Sequence, residues 1–167
     1  MKLAIVLGTA KSDGNTRALV DAFTLKVEAD IFDLSLFNIS FFDYLAKNKD
    51  DDFLPLIHQL LTYDHIIFAS PVYWYSMSAQ LKVFIDRLPD LLTSHQDLGR
   101  KLKGKSISVL STGYDLDCPD CFIMPFKLTA NYLGLIFKGY EYVSIQSDKH
   151  EINFEKNVIS AINQIKN

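Results

Sequence analysis

The stretch Gly8-Thr9-Ala10-Lys11-Ser12-Asp13-Gly14-Asn15-Thr16-Arg17 carries the pattern best suited to binding a ligand, and the ligand it suits is an anion. It follows the apolar run Leu3 to Leu7 and precedes a helix-like pattern. A buried strand that ends in small and hydroxyl-bearing residues and then opens a helix gathers unpaired backbone N–H groups and a positive dipole end at one point. Spacing narrows the choice of anion. A nucleoside-triphosphate loop needs Gly, four residues, then Gly-Lys-Ser/Thr, whereas here five residues separate Gly8 from Gly14 and Asn15 stands in the lysine's place. The dinucleotide pattern G-x-G-x-x-G fails as well, because Ala10 occupies its second glycine. A single phosphate monoester fits best, held by the hydroxyls of Thr9, Ser12 and Thr16, the Asn15 amide, the loop N–H groups around Gly14 and the Lys11 ammonium. The same residues also fit a plain Gly-Asn turn in which Asn15 or Thr16 caps the helix.

A second chemical signal lies at Ser70-Pro71-Val72-Tyr73-Trp74-Tyr75-Ser76. Consecutive aromatics in a loop are hard to bury together and unfavourable to expose unless something covers them. At the end of a strand beside the phosphate loop they are placed to wall a planar ring, with backbone N–H groups from Val72 to Tyr75 reaching its polar edge. Packing against neighbouring helices or a second subunit is the alternative.

Positioning these loops requires regular elements, and the chain has them. Strands are expected at Lys2 to Leu7, Ala29 to Leu34, His65 to Ser70, Lys105 to Ser111 and Lys138 to Ile145. Continuous apolar character in Leu3 to Leu7 and Ile66 to Ala69 marks strands covered on both faces. Helical stripes fall at Ala18, Leu19, Ala22 and Phe23, at Phe53 to Leu61, at Leu81 to Leu88 and at Phe154 to Ile165, with a further helix over Met124 to Leu135 stopped by Gly134. Alternating strands and helices imply a doubly wound α/β fold with a parallel sheet of order 2-1-3-4-5, ligands binding at the carboxyl ends of strands near the switch between strands 1 and 3. The polar segment Lys47 to Asp52 is expected to be a loose, solvated connection.

The 167 residues suit one domain spanning 1–167, and a net charge of −3 argues against a nucleic-acid partner, which demands a basic face. No segment has the length and apolarity of a membrane span, and Met1 leads straight into the first strand, so a cytoplasmic protein is expected.

Taken together, Gly8 to Thr16, Pro71-Val72-Tyr73-Trp74 and the Gln80-Leu81-Lys82 to Phe84-Ile85-Asp86-Arg87 tail closely resemble the flavodoxin-like NADPH-dependent FMN reductase family, which includes NAD(P)H:quinone oxidoreductases. The likeness covers essentially the whole chain. It implies FMN as cofactor, NADH or NADPH as electron donor, and a quinone, flavin or azo-type small molecule as acceptor. By position it implies phosphate contacts from Thr9, Lys11, Asn15 and Thr16, ring contacts from Pro71, Val72, Tyr73 and Trp74, and a third loop at Ser111-Thr112-Gly113-Tyr114. The flavin carries the chemistry, so no side-chain nucleophile is expected, with Tyr114 the one side chain placed to hydrogen-bond an acceptor. A homodimer is implied, and Phe41, Phe42 and Tyr44 are spare aromatics for such a contact. An FMN electron carrier served by a protein partner and a non-catalytic binding protein are the other readings of the same fold.

Many relatives have Ser and Arg where Thr9 and Lys11 stand, and lysine supplies a point charge in place of a forked contact. An iron–sulfur cluster is disfavoured, since the chain has only Cys118 and Cys121. That C-x-x-C lacks further zinc ligands and comes too late in the chain for a thioredoxin-type order; it is read as structural or incidental, with a thiol coupled to the flavin as the alternative. His58, His65, His95 and His150 show no ligand spacing and are expected at the surface or at element ends.

Overall fold

A computed structural model describes residues 1–45, 47–146 and 154–166. Five strands, β1 (Leu3–Leu7), β2 (Asp30–Asp33), β3 (His65–Pro71), β4 (Ser106–Gly113) and β5 (Ile136–Ser144), form one parallel sheet in the order 2-1-3-4-5. Helices α1 (Asn15–Thr24), α2 (Phe53–Leu60), α3 (Ala79–Asp86), α4 (Gln96–Arg100), α5 (Asp120–Leu133) and α6 (Glu155–Lys166) connect and follow them. Short 3-10 turns at Leu34–Leu36 and Leu88–Leu91, and α4 itself, were not expected from the apolar pattern because they are too short to show a period.

Side chains alternate across the sheet, so each central strand feeds two cores. Ala4, Val6, Ile66, Phe68, Ile107 and Val109 pack with residues of α2, α3 and α5, while Leu3, Ile5, Leu7, Ile67, Ala69 and Leu110 pack with α1 and α6. This two-sided burial is why β1 is apolar at every position and why β3 carries Ile66, Ile67, Phe68 and Ala69 in an unbroken run. In α1 the inward stripe is Thr16, Leu19, Val20 and Phe23; Ala18 is exposed, because the stripe is turned one residue towards Val20.

The starts of α5 and β5 differ from expectation. Helix α5 begins at Asp120, four residues before Met124, and runs through Pro125. Pro125 removes one helical hydrogen bond, and the carbonyl that loses it belongs to Cys121, an exposed residue that water can serve. The helix closes at Gly134 in the left-handed region at φ 69°. β5 starts at Ile136, two residues before Lys138, with the ladder shifting between Ile107 and Ser108 opposite Gly139 at φ 140°.

The Lys47 to Asp52 segment is not loose at its end. Asp51 pairs with Arg87, whose side chain is 1 % exposed, and Arg87 also reaches Asp90 at 2.8 Å and the Ser40 carbonyl at 3.1 Å. The Asn38 N–H donates to Asp52 at 2.7 Å, and those of Ser40 and Phe53 donate to Asp51 at 2.9 and 3.0 Å. A buried cation needed a partner, and the acidic run supplied it. Of the histidines, His65 is fully buried at the start of β3, His58 and His95 lie on or beside α2 and α4, and His150 falls outside the described residues.

Candidate functional site

Because all strands run the same way, the loops after β1, β3 and β4 emerge at one edge of the sheet. Register enforces this: Leu7 pairs with Ala69, and Pro71 with Thr112. The β1 loop is set by Gly8, whose N–H donates to Ala69 O at 2.9 Å and whose carbonyl accepts from Ser78 Oγ at 2.8 Å. A Cβ on Gly8 would lie 2.7 Å from Leu81 Cβ and 2.9 Å from the Leu81 nitrogen, so glycine is required by close approach to α3. Ser78 also caps α3, accepting from Leu81 N–H at 3.2 Å, while its own N–H donates to Ser70 Oγ at 2.9 Å.

Helix α1 then opens without a side-chain cap. Its N-cap is Gly14, in extended conformation, so neither Asn15 nor Thr16 caps it. Ala18 N–H bonds Gly14 O at 3.0 Å, and among the described residues no protein group accepts from the N–H of Asn15, Thr16 or Arg17. Three first-turn donors and the positive end of a helix dipole thus meet the cleft. Lys11 Nζ lies 3.5 Å from Asp13 Oδ1, both side chains largely exposed, so the lysine charge is shared with a carboxylate in water.

The β3 loop turns sharply. Tyr73 and Ser76 exchange two backbone hydrogen bonds, 2.9 and 3.0 Å, around Trp74 at φ 47° and Tyr75 at φ 64°. Paired positive φ values at the turn's centre normally call for Asn-Gly, so two bulky aromatics there mark local strain. The turn leaves Trp74 94 % exposed and directs only Tyr73 into the cleft lining. Val72 N–H donates to Thr112 O at 2.8 Å, joining this loop to the next, and Thr112 Oγ1 lies 2.7 Å from Thr16 Oγ1, joining that one to α1.

The result is a cleft of about 600 Å³ lined by Thr9, Lys11, Asp13, Gly14, Asn15, Thr16, Pro71, Val72, Tyr73, Thr112, Gly113, Tyr114 and Ile145. That volume lies in the range of small-molecule and cofactor sites. Most of the residues expected from sequence meet there. Ser12, Trp74 and Ser111 do not line it: Ser12 and Trp74 are solvent-exposed, and Ser111 is buried within β4, its Oγ without a hydrogen-bond partner among the described residues.

Asp13 and Ile145 were not anticipated. Ile145 ends the expected fifth strand, and the 2-1-3-4-5 order sets that strand beside the third loop, so its position was available as a signal. Cys118 and Cys121 stand outside the lining. Cys121 lies in the first turn of α5, contrary to the expected helix start, and Cys118 just ahead of its N-cap Pro119; burial, with the neighbouring Asp120 charge, pushes the Cys118 thiol up to about 11, and Cys121 Sγ sits 3.6 Å from the Tyr75 carbonyl. A thiol so shifted is a poor nucleophile.

Fold and cleft together define a flavodoxin-like protein, with the cleft at the topological switch point. The chain belongs to the NADPH-dependent FMN reductase family, whose model matches residues 1–118. It is 30 % identical over 152 residues, 84 % of this chain and 83 % of the other, to a Bacillus subtilis (strain 168) protein named as an NAD(P)H-dependent FMN-containing oxidoreductase, YwqN. Among solved structures it resembles the Trp repressor binding protein of Bacillus subtilis, with a TM-score of 0.77 at 24 % identity over 98 % of this chain and 97 % of that one. An NADPH-quinone reductase from P. pentosaceus superposes with a TM-score of 0.67 at 21 % identity, covering 100 % and 98 % of the two chains. The protein is an oxidoreductase of the FMN- and NAD(P)H-dependent kind.

Proposed function

We propose that the chain, acting as one FMN-binding domain, moves electrons from NADH or NADPH through FMN to a small planar acceptor of the quinone, flavin or azo type. The observation that carries this reading is the uncapped start of α1 in the same cleft as the aromatic loops. The donor set fits the cofactor: N–H groups and hydroxyls at one end suit a phosphate monoester, and tyrosines at the other suit a flat ring. When bound, FMN supplies the two-electron chemistry that no side chain here possesses. Thr9, Thr16 and the N–H groups of residues 15 to 17 hold the phosphate, and Lys11 adds a solvated charge beside it. Pro71, Val72 and Tyr73 line one side of the ring site and Thr112, Gly113 and Tyr114 the other. Tyr114, 72 % exposed at the mouth, is placed to meet an incoming acceptor and offer it a hydrogen bond.

The working unit in this reading is a cytoplasmic homodimer, the cytoplasm being where the nicotinamide donor is kept reduced. Its support is an apolar face: a hollow of about 400 Å³ bordered by Pro89, Leu92, Leu128 and Tyr132 adjoins, through Asp86 and Pro89, another of about 380 Å³ bordered by Phe41, Phe42 and Tyr44. Tyr132, Phe41 and Tyr44 are 77, 80 and 93 % exposed in the single chain. In all the described residues no helix is long and apolar enough to cross a membrane.

Anaerobic titration of the FMN-loaded protein with NADH and NADPH, followed by a panel of quinones, azo compounds and free flavins, tests the activity. Bleaching by a nicotinamide donor and reoxidation by an acceptor support it. A protein that binds FMN but is reduced only through another protein would be a carrier instead, and one that takes up no FMN would be neither. Light scattering during gel filtration gives the mass that decides the dimer.

A further inference from the structure

Tyr142 lies on β5 and does not line the cleft, yet it grips the loop that does. The hydroxyl end of its ring lies against Gly113: a Cβ there would lie 2.7 Å from the Tyr142 oxygen and 3.0 Å from Cε2. Its hydroxyl donates to the Asp115 carbonyl at 2.8 Å. From the same strand end, Ile145 N–H donates to the Gly113 carbonyl at 2.8 Å.

These contacts fall on either side of Tyr114. That residue is 72 % exposed, and among the described residues its hydroxyl has no recorded partner, so its place at the cleft depends on the backbone at 113 and 115. Hydrogen bonding to a carbonyl that would otherwise be free is what turns a surface loop into an ordered one. Burial, reinforced by the charges of Asp115 and Cys118, pushes the Tyr142 phenol up to about 12, so it remains a donor through neutral and mildly alkaline pH.

We propose that Tyr142 is the positioning residue of the third loop, its hydroxyl latching the Asp115 carbonyl and its ring bracing Gly113 so that Tyr114 is held at the mouth where an acceptor enters. The catalytic half of this inference rests on the oxidoreductase reading above, whereas the latch itself does not.

Two measurements on the full chain separate them. Hydrogen–deuterium exchange of the cofactor-free protein, compared between wild type and Tyr142→Phe, reports the latch: the Ile145 amide, which donates to the Gly113 carbonyl, is expected to exchange about tenfold faster in the variant as the loop opens, while the rest of the β4 and β5 ladder is unchanged. Unchanged exchange at Ile145 overturns the proposal, whether or not the protein turns over. With FMN and NAD(P)H, using menadione as the probe acceptor, Tyr142→Phe is expected to raise KM for the quinone roughly fivefold with kcat nearly kept, the pattern of lost binding and not of lost chemistry. The same change made on a Tyr114→Ala background is expected to do nothing more, because the two residues act through one loop. Independent, multiplying effects, or a lower melting temperature with KM unmoved, mean a merely structural tyrosine. Gly113→Ala, which pushes on the Tyr142 ring from the other side, is expected to reproduce the exchange result, and it stands in should Tyr142→Phe not fold.

Discussion

Thr16 Oγ1 and Thr112 Oγ1 lie 2.7 Å apart in the interior, tying the first turn of α1 to the end of β4 across 96 residues of chain. Both side chains are almost wholly buried, at 2 % exposure each, and both line the cleft. One bond thereby couples the uncapped start of α1 to the loop after β4 across the cleft.

Breaking that bond from either side should cost more than removing it altogether. Thr16→Val or Thr112→Val leaves one buried hydroxyl unpaired, a loss of about 1–3 kcal/mol, whereas the double variant replaces both with groups of the same shape. Urea unfolding of the cofactor-free protein is expected to show the double variant destabilised by less than the sum of the singles, and additive losses would contradict the coupling.

The two loop glycines should respond differently to alanine. At Gly8 the new methyl meets the Leu81 nitrogen and Cβ and the Ser78 oxygen within 3 Å, and backbone does not yield cheaply. A loss of about 1–3 kcal/mol is expected, or roughly 2–4 °C in Tm per kcal/mol. At Gly14 φ is −83° and the nearest atom is 3.4 Å away, so Gly14→Ala should stay within about 1 kcal/mol of wild type. Melting curves of the two variants that coincide would show the packing argument to be wrong.

Lys11 should matter little to cofactor affinity. Its side chain is 70 % exposed and already beside Asp13, and exposed charges contribute at most about 1 kcal/mol, so Lys11→Ala is expected to weaken FMN binding roughly threefold. The loss should shrink further with added salt, since screening acts within about 8 Å at physiological ionic strength. Flavin fluorescence titrations at low and high salt measure it; a loss of a hundredfold would place the ammonium directly on the phosphate.

Acid should unfold the protein through His65. The ring is buried between Ser106 and Ser108, whose hydroxyls lie 2.7 and 2.8 Å from Nδ1 and Nε2, and burial, with Lys138 nearby, lowers its pKa from 6.5 to about 4. Between those values the unfolded chain binds the extra proton, so stability is fully present above about pH 6.5, falls as pH drops and levels off below about pH 4. At about 1.4 kcal/mol per unit the loss approaches about 3 kcal/mol. For Asp51, burial works to raise the pKa, but the Arg87 hydrogen bond and the N–H groups of Ser40 and Phe53 outweigh it and hold it below 3.8, so its contribution is lost only at more acid pH. His65→Gln should flatten the pH 4–6.5 slope of urea-derived stability, and an unaltered slope would assign it elsewhere.

Strand order, the two loops that frame the cleft and most of its lining were legible in the sequence, because each depends on short-range pattern. Runs such as Leu3 to Leu7 can only be covered on both faces, and a parallel sheet of such runs brings loop ends together at one edge. Thr9, Asn15 and Thr16 could be read from their place between a strand and a helix. What followed from contacts between distant segments could not. Gly8 looked like an anion-loop glycine, and only the approach of Leu81, 73 positions away, shows the steric need for it. The acidic run at Asp51 looked like a solvated loop until Arg87 was found buried against it. Trp74 was read as a ring wall from its aromatic character and from the resemblance of its motif, but the backbone reversal at Trp74 and Tyr75 carries its side chain out of the cleft. Local periodicity therefore decided which elements form and where ligands gather, while tertiary packing decided which side chain at each loop faces inward, because that depends on a backbone direction set by neighbours no short window contains.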